Sequence, residues 1–111
     1  MSSKKPYDLE ERTFQFAKEV RVFVKSLEKT TANIEDAKQL VRSSGSVGAN
    51  HIEANESLSK KDFVYRLKIS RKEAKESIFW LRLINETNKL PEGKTNELIQ
   101  ESTELKKYFH Q

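Results

Sequence analysis

Three glycines and two prolines in 111 residues leave this chain little material for turns. An all-β fold of this length needs many more breakers, so the few present must separate long regular segments. Between them the apolar residues recur at the 3.6-residue period of a helix with one wet face. Charged residues make up 34% of the chain and hydrophobic ones 35%, the balance expected of amphipathic helices.

The spacing predicts four helices. The first begins at Asp8, with Glu11 completing a capping-box-like start. It carries Leu9, Phe16, Val20, Phe23, Val24 and Leu27 on one face and ends near Thr30-Thr31. Asn33 is the expected cap of the second, which aligns Ile34, Ala37, Val41, Ser44, Gly48 and Ile52. Ser57-Leu58-Ser59 interrupts the chain, and Ser59 with Asp62 forms another capping box ahead of a long third helix over 60–88. Leu90-Pro91-Glu92-Gly93 ends it, and a shorter fourth helix carries Leu98, Leu105 and Phe109. Three tight connections between four helices predict an all-α, antiparallel up-down-up-down four-helix bundle.

The length suits one domain over 1–111, with 1–7 expected to be flexible. With no cysteine, disulfides, thiolate metal sites and cysteine nucleophiles are excluded. No apolar run approaches the roughly 20 residues that span a bilayer, and no apolar segment follows Lys4-Lys5, so a membrane span and a signal peptide are not expected and the cytoplasm is the expected location. A net charge of +4 permits an anionic partner without demanding one.

Two features exceed a generic bundle. The second helix concentrates small residues from Ser43 to Ala49, although a glycine inside a helix costs about 1 kcal/mol relative to alanine. Close approach of another helix explains this, as does a kink or a backbone-lined ligand site. The second feature is a surplus apolar stripe. On the third helix Phe63, Leu67, Ala74, Ile78, Leu81 and Ile84 share one arc, while Tyr65, Ile69, Trp80 and Leu83 fall on another. The second helix repeats this with Leu40, Val47, Ala54 and Leu58. A bundle core uses one stripe per helix. Leu40, Val47, Tyr65, Ile69, Trp80 and Leu83 are therefore the expected self-association surface, unless the third helix is simply central to an asymmetric bundle.

No catalytic set is evident. Neither His51 nor His110 has a glutamate three residues before it, so a carboxylate-bridged metal pair is not indicated, and no P-loop or nucleophile elbow is present. No metal or other cofactor is expected, and Glu73 with Glu76 suits salt bridging better than acid–base work. Arg42, Asn50 and Glu53 on the second helix, with Glu76 on the third, are candidates for a buried hydrogen-bonded network, against the alternatives of a wet face or ligand recognition. The basic residues segregate into stripes. Lys18, Arg21 and Lys25 lie on one side of the first helix, and Lys68, Arg71, Lys72 and Lys75 cluster on the third. Such stripes are either solvated faces or the footprint of a phosphate-backbone binder. No exposed aromatics are expected among them, so base stacking is not indicated.

The run Val41-Arg42-Ser43-Ser44-Gly45-Ser46-Val47-Gly48-Ala49-Asn50-His51-Ile52-Glu53-Ala54-Asn55-Glu56 carries a family signature, together with Ser59-Lys60-Lys61-Asp62-Phe63, Arg71-Lys72-Glu73-Ala74-Lys75-Glu76-Ser77 and Trp80-Leu81. It resembles the bacterial four-helix bundle proteins encoded in intervening sequences of 23S ribosomal RNA genes, which are similar in turn to the accessory variability determinant of diversity-generating retroelements. The commoner family form reads Asn-Ile-Ala-Glu-Gly where this chain has Asn50-His51-Ile52-Glu53-Ala54, which places it in a sub-branch. The resemblance implies a homopentameric ring with a basic surface. In the retroelement branch it further implies binding of nucleic acid and of a nucleic-acid-processing partner, a reverse transcriptase. No catalytic residues come with it. The expectation is a non-enzymatic, homo-oligomeric, basic helical protein that binds structured RNA or DNA, with a purely structural or protein-interaction oligomer as the alternative.

Overall fold

The computed structural model describes residues 8–110; the expected flexible segment 1–7 lies outside them. Among the described residues there are four helices and no strand: α1 (Leu9–Lys25), α2 (Thr31–Asn55), α3 (Lys60–Thr87) and α4 (Lys94–Tyr108). α2 packs on α1 and on α3, α3 packs on α4, and α1 meets α4 over a smaller area. No helix among the described residues is long and apolar enough to cross a membrane.

The caps follow local chemistry, with corrections to the boundaries. Ser59 accepts the amide of Asp62 at 3.1 Å and starts α3 as expected. Asp8 occupies the N-cap of α1 but makes no side-chain cap bond, so the box with Glu11 does not form. α1 stops at Lys25, where Ser26 turns its hydroxyl onto the Phe23 carbonyl, five residues short of the expected end. Leu27 is then tucked into the core. Thr30, not Asn33, caps α2 by accepting the Asn33 amide at 3.1 Å. The Asn33 side chain is buried instead and exchanges two 2.9 Å hydrogen bonds with Asn88, tying the start of α2 to the end of α3. Gly93, at φ +99°, takes the left-handed turn before α4, a conformation that L side chains rarely adopt.

The core joins Phe16, Val20, Phe23 and Leu27 of the α1 region to Leu67, Ala74, Leu81 and Ile84 of α3 and to Leu98, Leu105 and Phe109 near α4. α2 contributes Leu40, Val47 and Ala54. This reverses the expected reading of α2. Leu40 and Val47 are fully enclosed in the chain's own core and cannot form a self-association surface, whereas Ile34 and Ile52, expected inside, are exposed. Leu58, on the arc of Leu40, Val47 and Ala54 by its spacing, stands in the turn after α2, exposed. Phe63, expected on the core arc of α3, lies at the exposed margin.

The small residues of α2 meet small residues across from them. Ser43 and Ser77 share a 2.8 Å hydroxyl contact, and Ser70 donates to the Val47 carbonyl at 2.9 Å. Ser102 of α4 does the same to Ala74 on the other flank of α3. Each of these serine hydroxyls is satisfied by a neighbouring backbone or its twin, so serine here acts as a small core residue. The close-approach reading of the Ser43–Ala49 run fits this seam. On its other side, Gly48 lies directly against Thr13 of α1.

Candidate nucleic-acid interface

From Tyr65 to Phe79, α3 turns its carboxylates toward α2 and four of its five cations outward, the fifth, Arg66, bonding Asn50 of α2. Glu73 is buried, and Glu76 is half-buried. Both are held by Arg42 of α2, whose guanidinium lies 3.3 Å from Glu73 and pairs with Glu76. In that stretch the exposed residues are Tyr65, Lys68, Arg71, Lys72, Lys75 and Phe79, two aromatics and four cations. None of the four cations lies within 4 Å of a carboxylate among the described residues, and no hydrogen bond of their side chains is seen there. Lys68 and Lys72, like Arg71 and Lys75, are four residues apart on one helix surface. Such like-charge pairs destabilise a helix by roughly 0.2–0.5 kcal/mol each, a penalty that a bound anion removes.

The aromatics correct the expectation that none is interleaved with the bases. Tyr65 is 59% exposed and Phe79 55%, one at each end of the lysine row. Phe79 meets Trp80 edge to face, with centroids 4.9 Å apart. Trp80 itself is half-buried against the core, with its indole nitrogen enclosed and unpartnered, so it belongs more to the fold than to an open stripe. Ile69 and Leu83 are also half-buried. Of the six residues expected at a self-association surface, Tyr65 alone is exposed. Phe79 was missed because it lies between two wheel arcs. Its position one turn beyond Lys75 was the available signal.

The α1 stripe forms a separate surface. Lys18, Arg21 and Lys25 are exposed, and Arg21 donates to the Ala17 carbonyl at 3.0 Å while its guanidinium lies over Gly45. α1 and α3 are not adjacent helices and meet only through core side chains, so the two exposed stripes are not one footprint within a single chain. The α1 stripe borders an open apolar groove between α1 and α2, of about 430 Å³ at one end, walled by Phe14, Ala17, Gly45, Ala49 and Ile52. Phe14 at 59% and Ile52 at 47% are its exposed apolar walls.

The expected polar network divides in two. Arg42 with Glu73 and Glu76 forms one cluster. Asn50 forms another, accepting from Arg66 at 3.1 Å and donating to Ser46. Glu53 is exposed and joins neither, while Arg66 was not anticipated. His51, expected to be an ordinary polar residue, is half-buried, its ring 5.5 Å from that of Phe109 and its Nδ1 enclosed without a partner. Burial lowers its pKa from the ordinary imidazole value, and Glu10 opposes this weakly. Among the described residues, no cluster of three histidine, aspartate or glutamate side chains is arranged to hold a metal ion.

Comparison with known proteins agrees with this fold. A solved structure of a protein of unknown function from the S23 ribosomal protein family of Bacteroides thetaiotaomicron superposes with a TM-score of 0.82 at 31% identity, over 90% of this chain and 93% of that one. No curated protein matches the chain. A family model described as 23S rRNA-intervening sequence protein matches residues 6–111, nearly the whole length, and the chain therefore belongs to that family.

Proposed function

We propose that this chain is a non-enzymatic, homo-oligomeric protein that binds nucleic acid through the outward face of α3. The observation that carries this reading is the segregation along Tyr65–Phe79, where every exposed charge is positive and both carboxylates are engaged by Arg42. The four helices run up-down-up-down in this reading. It is supported by the contacts of Asn33 with Asn88, of Asn50 with Arg66, of Arg12 near the start of α1 with Glu104 in the second half of α4, and of Glu19 later in α1 with Lys94 at the start of α4. The setting is cytoplasmic, with no cofactor, and a nucleic-acid-processing protein is the further partner that the family resemblance implies.

Binding through phosphates releases counterions, so log affinity should fall linearly with log salt, by about 0.9 per phosphate on duplex DNA. Titrating RNA or DNA between about 50 and 200 mM salt should therefore lower affinity by orders of magnitude if several phosphates are contacted. Lys68→Glu with Lys72→Glu should weaken binding to all sequences alike and flatten the salt slope, because phosphate contacts carry no base information. A wild-type protein that binds neither nucleic acid at low salt ends this reading. The structural or protein-interaction oligomer then remains.

Self-association is the second part of the proposal, and the ring of five that the family implies is its finer form. The α1–α2 groove supports it better than the surplus stripes do, because Phe14, Ile34 and Ile52 are exposed apolar residues on one flank while Leu40 and Val47 are enclosed. A ring would also strengthen a weak phosphate site by raising the effective concentration of its copies. Phe14→Glu with Ile52→Glu should yield a smaller species by light scattering while circular dichroism stays helical. An unchanged mass would remove the groove from the self-contact.

A further inference from the structure

Resting on the nucleic-acid reading above, we infer that the ligand of the α3 face is a single strand, held by its phosphates on the lysines and by two bases stacked on Tyr65 and Phe79. A duplex offers a protein its phosphates and groove edges, and an exposed aromatic ring on a convex helix has nothing to stack on there, because the base faces are already occupied by one another. A single strand presents both phosphates and free base faces, and proteins that bind it combine a positive track with aromatic platforms.

The α3 face has this composition in this order. Tyr65 opens the row, Lys68, Lys72 and Lys75 follow at successive turns, and Phe79 closes it. The two rings stand about 21 Å apart along the axis at 1.5 Å per residue, the reach of several extended nucleotides. Their exposure is the informative part. Phenylalanine is a core former, yet the Phe79 ring is more than half open to solvent while its edge contact with Trp80 fixes its orientation. The occupant is chosen by charge complementarity. Four cations with no carboxylate within ion-pair distance among the described residues repel a basic partner and attract a polyanion, and the rings between which they lie discriminate among polyanions. Stacking tolerates any base, so the site should read strandedness rather than sequence.

The experiment compares fluorescein-labelled single-stranded RNA of about 20 nucleotides with the same sequence as duplex, by anisotropy at low salt, with oligomer mass measured for every variant. The wild type should prefer the single strand. Tyr65→Leu and Phe79→Leu should each weaken single-strand binding by about five- to hundredfold, leave duplex binding unchanged and keep the parent mass, whereas Tyr65→Trp and Phe79→Trp should retain it. Lys68→Glu with Lys72→Glu should weaken both forms. Leucine variants that bind the single strand like wild type, or lose both forms equally, overturn the stacking inference while leaving phosphate binding intact. Leucine variants of smaller mass also overturn it, because the rings then belong to the contact between copies. Absence of any binding by the wild type, in either form, removes the parent reading and this inference together.

Discussion

Arg12→Ala should destabilise the protein by about 2–4 kcal/mol, because one side chain holds much of the contact between α1 and α4. Arg12 is only 6% exposed. Its Nε and Nη2 donate to the two oxygens of Glu101 at 3.1 and 2.7 Å, and Nη2 also reaches Glu104 at 3.0 Å. Its guanidinium lies 5.2 Å from the centre of the Tyr108 ring. These bonds, Glu101 first, raise an already high pKa, so the group is charged at every accessible pH. Removing one partner of a buried pair costs about 3–5 kcal/mol, and the loss here is smaller because Glu104 is 43% exposed and water can replace its share. Arg12→Lys should recover only part of the loss, since an ammonium cannot make the two-pronged contact with Glu101. Urea unfolding at one fixed protein concentration reads the effect as a shift in midpoint at constant slope. A loss below about 1 kcal/mol would mean that Phe16, Leu98 and Leu105 alone hold α1 against α4.

Arg12 also marks the limit of what periodicity reveals. Existence, order and type of all four helices are legible from sparse breakers and the 3.6 period, and Ser59 caps α3 where the pattern puts it. Periodicity cannot decide which of two apolar arcs faces inward. On α2 both arcs carry aliphatic residues, and the choice falls to Leu40 and Val47 because α3 offers Ser70, Ala74 and Ser77 opposite them. A serine whose hydroxyl bonds a helical carbonyl fills core space, although composition counts it as polar. Arginine is likewise counted as wet, which hid Arg12 and Arg66, each satisfied only by residues distant in sequence. All seven bases named as a nucleic-acid site are exposed as expected. That they form two surfaces rather than one depends on α1 and α3 not being adjacent helices, a fact of tertiary arrangement with no local signal.

Gly48→Ala should destabilise the protein by about 1–3 kcal/mol even though alanine is the better helix former by roughly 1 kcal/mol. A Cβ at Gly48 would lie 2.8 Å from Thr13 Oγ1 and 3.0 Å from Thr13 Cβ. Thr13 has little room to yield. It is buried, β-branched, and held by its hydroxyl on the Glu10 carbonyl at 2.9 Å. The strain must pass to the backbone of α1 and spread α1 from α2, which loosens the packing of Phe16 and Val20 behind it. Gly45, one turn earlier on the same helix, supplies the control. A Cβ there would meet only the Arg21 guanidinium, nearest at Nη2, 3.2 Å away, the end of a long exposed side chain that can swing aside. Gly45→Ala should therefore be neutral or stabilising by up to about 1 kcal/mol. The thermal melt of Gly48→Ala should fall, and that of Gly45→Ala should hold or rise. A rise for Gly48→Ala would show that α1 and α2 can separate without penalty, and the small residues of α2 would then owe their presence to something other than this helix crossing.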